Sequence, residues 1–491
     1  MLKFMCGISG FFSSTHDGLE VIKKTNLILS HRGPDNSDIF SSDNGLYLGH
    51  RRLSIIDLNQ RSNQPFKSDC GNFVLTFNGE IYNYIELRQK LKNLSVNFKT
   101  DSDTEVLLQS YINLGLLETL KSIRGMFAFC IYDKKKEKLF LARDQIGEKP
   151  LYYSKETNFF YFTSEIKSFS SLSSLGFEKK FKYELIYDYF RSSSILDNSS
   201  TYFNNISKLE PAHFIEFDIK KNILTKQKYW NLEDHKLNFS QNLDDFNFEE
   251  LLTKSIKDRL ISDVPLGVML SGGLDSSVIA TIAQKLTEKK INTFSLSFGD
   301  GMNENYYANL VAKSIGSNHE EIYINENNMF SYLYDNIDAF DDLGSTDPGI
   351  LSLSYASKLI RERGIKTLLF GEGADEILGG YTRFAFATLP FSLLPSKLNH
   401  IFYYYFLSRD DFKNYKKFYN NYIPFQKILE KKGGNYLNRF LKFEIQDHLP
   451  NNYLMKIDKS TMYNSIEARV PYLDIDLISY LMSIDQKNLV P

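Results

Sequence analysis

Two short segments carry residue types whose spacing suits chemistry. Cys6 stands at the mouth of the run Gly7-Ile8-Ser9-Gly10-Phe11, which reads as a buried strand. A thiol at a mature N-terminus carries its own base, because an α-amine with a pKa of about 7.7–8.0 can take the thiol proton at neutral pH. That chemistry expects translation to begin at Met5 with Met5 then removed, or a short leader to be cleaved, since loss of Met1 alone exposes Leu2. Taken singly, Cys6 reads more simply as a packed strand cysteine. The second segment is Val268-Met269-Leu270-Ser271-Gly272-Gly273-Leu274-Asp275-Ser276-Ser277, a buried strand, a glycine turn and a helix start. Its glycines admit close backbone approach to phosphates, its N–H groups point at them, and the helix N-terminus favours their charge. The spacing predicts a pyrophosphate loop, and not a Walker A loop, which ends in Gly-Lys-Ser/Thr.

Different elements must hold these two segments. Residues 1–230 contain short alternating runs such as Leu46–Leu48, Phe73–Phe77, Met126–Tyr132, Lys138–Ala142, Phe159–Thr163, His213–Phe217 and Lys226–Trp230, separated by turn residues. Helical spacing recurs at Ile85–Leu94 and Glu105–Leu114, which predicts helices packed on antiparallel sheets. The polar stretch 231–245 is the expected linker. From residue 246 to 491, longer helices (Phe248–Leu260, Ser276–Leu286, Tyr306–Ile315, Leu353–Arg363) alternate with single strands (Val268–Leu270, Thr293–Phe298, Lys366–Phe370). Such alternation predicts a parallel sheet with ligands bound beyond the carboxyl ends of its strands.

Composition narrows the function classes. At 491 residues the chain exceeds a single core. With 58 basic against 60 acidic residues it carries no footprint for nucleic acid or an anionic membrane. Three scattered cysteines, Cys6, Cys70 and Cys130, support neither a disulfide framework nor a zinc site and suit a cytoplasmic protein, with Cys130 expected in the core. No run approaches the roughly 20 apolar residues of a membrane helix. The aromatic run Ile401–Leu407 is short and flanked by Lys397, His400 and Arg409.

Further motifs identify a family. His31-Arg32-Gly33-Pro34-Asp35, Gly49-His50-Arg51-Arg52-Leu53-Ser54-Ile55-Ile56-Asp57, Phe77-Asn78-Gly79-Glu80-Ile81-Tyr82-Asn83 and Asp101-Ser102-Asp103-Thr104-Glu105-Val106 follow Cys6 in order. Arg124-Gly125-Met126-Phe127-Ala128-Phe129 and Ala142-Arg143-Asp144 come next, then a second set beyond residue 260 that ends in Asp458–Met462 and Ile466–Asp474. Over nearly its whole length the chain resembles glutamine-hydrolysing asparagine synthetases. The resemblance implies a two-domain α/β and α+β protein: an N-terminal αββα sandwich of the Ntn-hydrolase type, then a parallel-sheet ATP-pyrophosphatase domain. It implies a Cys6 nucleophile, an oxyanion hole at Asn78 and Gly79, and a glutamine site at Arg52, Glu80 and Asp103. A zwitterionic substrate needs fixed charges of both signs, which Arg52 and Asp103 would supply. In the second half, Leu270, Ser271, Gly272, Gly273, Asp275, Ser276, Leu296 and Gly371 match ATP contacts. Glu372 matches the glutamate that helps form the acyl-adenylate and handles the proton of ammonia. Asp275 and Asp375 match ligands of Mg²⁺-pyrophosphate.

The implied activity transfers ammonia from glutamine to the β-carboxylate of aspartate activated as β-aspartyl-AMP, releasing AMP and pyrophosphate. Partners would be glutamine, aspartate and ATP, without nucleic acid or membrane, and with a homodimer left open. The family's lysine-bearing segment after Glu467-Ala468-Arg469-Val470-Pro471 has no counterpart before Pro491. This reads as a fragment or a natural truncation, with Lys456 and Lys459 not expected to substitute, and predicts a glutaminase that makes asparagine weakly. Alternative readings are a sugar uronic acid as acceptor, with specificity set between Phe384 and Asn435, and a synthetase-impaired regulatory protein.

Overall fold

The computed structural model describes residues 6–192, 195–234, 245–298, 304–341, 349–381, 384, 427–428, 430–431 and 436–484. Most of the expected linker, the insert before Asn435 with its run Ile401–Leu407, residues 342–348 and the last residues before Pro491 lie outside these.

The alternating runs of the first half pair into two antiparallel six-stranded sheets. In spatial order the first holds Ser207–Lys208, Tyr152–Lys155, Phe160–Thr163, Gly7–Phe12, Leu46–Arg52 and Asn36–Ser41. The second holds Ile223–Lys228, His213–Asp218, Lys138–Arg143, Gly125–Asp133, Phe73–Ile81 and Phe66–Lys67. Inward side chains including Ile8, Leu48, Val74, Cys130, Leu141 and Ile215 form one core between them, as expected of facing sheets. Helix Leu19–Ile28 covers the outside of the first sheet through Val21 and Ile22 against Phe11 and Tyr161. Helices Tyr84–Asn93 and Asp103–Leu114 cover the second through Leu87, Leu91, Val106 and Leu107. The result is the αββα order of layers. The strand Gly125–Asp133 is buried on both faces, which explains why it reads as a continuous apolar run instead of an alternating one.

Most boundaries shift by a few residues from the sequence reading, and two of the shifts have a local cause. The last strand of the first half is Ile223–Lys228, not Lys226–Trp230, because the chain turns earlier, at Asn222 with φ of 55°. The helix expected from Glu105 starts at Asp103, because Ser102 caps it by accepting the Glu105 N–H at 3.3 Å.

In the second half, five parallel strands lie in the order Asn318–Tyr323, Asn292–Ser297, Leu266–Met269, Thr367–Leu369, Glu467–Arg469. The chain starts at the central strand, builds outward to one side, then crosses and builds to the other. The order therefore reverses between Leu266–Met269 and Thr367–Leu369, which opens a crevice at their carboxyl ends. Helices Leu274–Leu286 and Gly349–Glu362 pack on this sheet through Ile279, Ala283, Ala356 and Ile360. Among the described residues, no helix is long and apolar enough to cross a membrane.

Candidate functional site

Cys6 enters one of the inner strands of the first sheet, so its position is fixed by the ladder that pairs Gly7 with Arg51. The next turn of the partner strand brings Leu53 against the sulfur. Sγ accepts the Leu53 N–H at 3.4 Å and donates to its carbonyl at 3.6 Å. Burial pushes the thiol up to about 12, with the Leu53 contact and the Arg52 charge opposing and the charges of Glu467 and Glu80 adding to the rise. The thiol is therefore protonated at neutral pH, and attack on a carbonyl requires a base to take its proton.

Around this sulfur lies a cavity of about 30 Å³ lined by Cys6, Arg52, Gly79, Glu80 and Asp103, together with Leu53, Gln64, Thr104 and Glu467. That volume holds about one water, so an amino-acid substrate has to part the lining. Arg52 is pinned as a fixed cation: it donates to the Asn59 carbonyl at 2.9 Å and to Asn63 Oδ1 at 2.8 Å, and also to the Ile56 and Asp57 carbonyls. Asp103, in the first turn of its helix, accepts the Ile81 N–H at 2.9 Å, and burial pushes it up to about 6. Burial, joined by the charges of Glu467 and Asp103, holds Glu80 well above the ordinary carboxylate range. The cavity thus presents one anchored cation and several carboxylates, a charge pattern that suits a zwitterion.

The backbone at Gly79 is open only to glycine. Its φ is +141°, and an added Cβ would lie 1.9 Å from the Met126 carbonyl oxygen. Asn78 is buried, with neither amide atom hydrogen-bonded, but it is not among the residues lining the cavity. A buried unpaired amide is costly to keep.

Glu467 is the residue that sequence reasoning missed here. It belongs to the edge strand of the parallel sheet, yet it reaches the cavity of Cys6 and pairs with Arg469 Nε at 2.7 Å. Arg469 in turn stands 3.7 Å from Glu80. The only available signal was the alternation of acid and base in Glu467-Ala468-Arg469.

The second cavity opens at the crevice of the parallel sheet and measures about 540 Å³, within the range of ligand pockets. Leu270, Ser271, Gly273, Asp275, Ser276, Leu296, Gly371, Glu372 and Asp375 all line it. Gly272 does not; its φ of +85° makes the turn that presents its neighbours. Ser271 Oγ accepts the Gly273 N–H at 3.2 Å and lies 3.0 Å from Ser276 Oγ, which shapes the loop ahead of helix Leu274–Leu286. Burial and the charge on Asp375 together raise the Asp275 carboxyl above its ordinary range. A divalent cation would relieve that repulsion. Among the described residues no group of three or more His, Cys, Asp or Glu side chains forms a cage for a metal, but Mg²⁺ commonly takes only one or two carboxylates with substrate phosphates.

Lys456 also lines this cavity, on helix Tyr453–Met462, together with Tyr453, Glu376 and Tyr381. Burial lifts Glu376 to about 7, and the Tyr381 hydroxyl donates to it at 2.5 Å. Lys459 instead faces Asp341, with which it forms an ion pair.

The family profile described as "Glutamine amidotransferase domain" matches residues 5–230, and that described as "Asparagine synthase" matches residues 247–490. The chain is 32% identical to asparagine synthetase (glutamine-hydrolyzing) 1 of Bacillus subtilis (strain 168) over 523 residues, covering 96% of this chain and 79% of that protein. It is 29% identical to asparagine synthetase (glutamine-hydrolyzing) 3 of the same organism, covering 98% and 81%. An amidase named chry2 from Gibberella zeae is 27% identical, covering 98% and 82%. Among solved structures, a glutamine phosphoribosylpyrophosphate amidotransferase from B. subtilis gives a TM-score of 0.36 at 14% identity, covering 74% of this chain and 81% of that one.

Proposed function

This chain belongs to the family of glutamine-hydrolysing asparagine synthetases, and we propose that its two cavities divide that family's reaction between them. It is an ATP-dependent ligase that draws its nitrogen from glutamine. The division we assign puts a glutaminase in residues 1–230 and a synthetase in residues 246–491, with the cytoplasm as the working compartment.

In the first cavity, with Cys6 freed as the N-terminal residue, its α-amine takes the thiol proton, the sulfur adds to the side-chain amide of glutamine, ammonia leaves with that proton, and water resolves the thioester to glutamate. Arg52 holds the α-carboxylate, and Asp103 with Glu80 holds the α-ammonium. The Gly79 N–H stabilises the oxyanion, joined by the Asn78 amide once the substrate has parted the lining, each donor contributing about 2.7–4 kcal/mol in comparable sites. In the second cavity ATP lies over the Ser271–Ser276 loop with its base against Leu270 and Leu296, and Gly371 beside it. Asp275 and Asp375 would hold Mg²⁺, which supplies charge neutralisation at the phosphates. Lys456 adds a second cation in the same wall. Glu372 assists formation of β-aspartyl-AMP and takes the proton shed when ammonia displaces AMP.

The observation that carries the reading is the 540 Å³ cavity at the strand reversal, whose wall gathers the phosphate loop, Glu372 and Asp375. Supplied with aspartate, ATP, Mg²⁺ and ammonia, the protein is expected to release AMP and pyrophosphate in step with asparagine. ADP and phosphate as the only products would replace adenylation by an acyl-phosphate route.

The raised Asp103 gives the glutaminase a pH signature. Its carboxylate is charged above about 6 and protonated below it, so the partner of the α-ammonium is lost on the acid side. The KM for glutamine is expected to climb toward about tenfold per pH unit below that value. Asp103→Asn should raise KM at neutral pH by about 10–100-fold, the worth of a hydrogen bond to a charged group, and flatten the acid limb. An acid limb unchanged in that variant would assign the titration to another group.

A further inference from the structure

The helix Tyr453–Met462 forms part of the wall of the nucleotide cavity and packs beside the Cys6 cavity. Tyr453 and Lys456 stand in the wall of the nucleotide cavity. At its other end Met462 is buried with Leu53 and Ile55 in a cluster against which Cys6 packs, and Leu53 is the residue whose N–H and carbonyl hold the thiol. Asp458 lies between. Successive helical residues are about 100° apart, so Asp458 and Met462 share a face and Lys456 projects from nearly the opposite one.

Asp458 grips Arg32 through two parallel bonds, Nη1 to Oδ2 at 2.9 Å and Nη2 to Oδ1 at 3.1 Å. Arg32 is fully buried, and its Nε donates to the Cys6 carbonyl at 3.2 Å. Glu165 shares Nη1 at 2.9 Å, and Lys149 approaches Asp458 at 3.8 Å. A bidentate pair fixes the plane of the guanidinium as well as its position. The peptide that carries the nucleophile is therefore oriented by a carboxylate from the other half of the chain, on a helix that forms part of the nucleotide wall.

We propose that Asp458 is a positioning residue for Cys6, and that helix Tyr453–Met462 transmits the state of the nucleotide cavity to the glutaminase through the Asp458–Arg32 pair. This rests on the assignment of the two cavities made above. A packed helix moves as a rod, so a displacement imposed at Lys456 reaches Asp458 and Met462 together. Both contacts bear on the placement of the Cys6 sulfur, and a misplacement of 1 Å can cost about 10²-fold in rate. Coupling of this kind is reciprocal: whatever nucleotide does for the glutamine site, glutamine does for nucleotide binding.

The test uses the full chain and its Asp458→Asn and Asp458→Glu variants, and follows two activities, glutamine hydrolysis with and without ATP, Mg²⁺ and aspartate, and ammonia-dependent AMP release. In the unsubstituted protein the nucleotide set should change glutaminase kcat about fivefold or more, the lower range of ordinary coupling. Asp458→Asn should lower basal glutaminase kcat about tenfold, leave KM for glutamine within about twofold, and abolish the response to nucleotide. Ammonia-dependent AMP release should stay within about threefold of the unsubstituted protein, and Asp458→Glu should recover part of the response. A glutaminase indifferent to nucleotide in the unsubstituted protein overturns the proposal, as does a normal response in Asp458→Asn. Parallel loss of both activities in Asp458→Asn and Asp458→Glu makes the pair a strut of the fold and also overturns it. Absence of ammonia-dependent AMP release from the unsubstituted protein would instead strike the cavity assignment itself.

Discussion

Replacement of Cys6 by alanine is expected to remove glutamine hydrolysis while leaving ammonia-dependent asparagine synthesis near its original rate. The loss should approach about 10⁶-fold in kcat, the scale on which a protease fails without its nucleophile. The two effects separate because the sulfur lines only the small first cavity, whereas the phosphate loop and Glu372 line the other. Burial holds the thiol protonated with a pKa near about 12, so Cys6→Ser, whose hydroxyl is harder still to ionise, should not rescue. The check is glutamate release from glutamine beside AMP release with ammonia, measured on the same preparation. Normal hydrolysis by the alanine variant would move the nucleophile elsewhere; loss of both reactions would mean that Cys6 also maintains the contact between the halves.

The chemistry-bearing loops were legible because each needs residue types that little else explains. Ser271-Gly272-Gly273-Leu274-Asp275-Ser276 announces a strand, a turn at positive φ and a helix start, and the structure has all three, with φ of +85° at Gly272. The core was legible where burial is two-sided, as at Met126–Tyr132, where Cys130 is fully buried as expected. The strand Asn318–Tyr323 escaped notice because it is an edge strand in which polar residues predominate and only Ile322 is buried. Sequence proximity also misleads about sites. Glu467 stands next to residues of the parallel sheet, yet it lines the cavity of Cys6, and Arg32 joins Glu165 to Asp458 across most of the chain. Such partners are set by how the sheets and helices dock, which hydrophobic periodicity does not encode. The same applies to the shortage of phosphate-facing cations expected from the motifs. Which side of helix Tyr453–Met462 meets the crevice is decided by packing, and that packing turns Lys456 toward the cavity and Lys459 toward Asp341.

The nucleotide cavity yields the other large effect. Asp375→Asn is expected to lower ammonia-dependent AMP formation by about 10²–10³-fold, the cost of removing one preorganised electrostatic partner of a developing charge. The reason lies in the pairing of like charges: burial and the charge on Asp375 together raise the Asp275 carboxyl, and a cation held by both carboxylates would relieve that repulsion. With Asp375 neutral, Asp275 loses that repulsion and its pKa moves down toward the ordinary value. The variant should therefore need more Mg²⁺ for half-maximal AMP formation, while the carboxylate that remains stays ionised to lower pH. Titrating Mg²⁺ at several pH values separates these consequences from misfolding, which would depress the rate without moving either midpoint. Basal glutaminase measured without nucleotide should remain within about twofold, because Asp375 lines only the second cavity. AMP formation at the original rate and the original Mg²⁺ requirement would remove Asp375 from the phosphate site and leave Asp275 with Lys456 as the groups that face the charge.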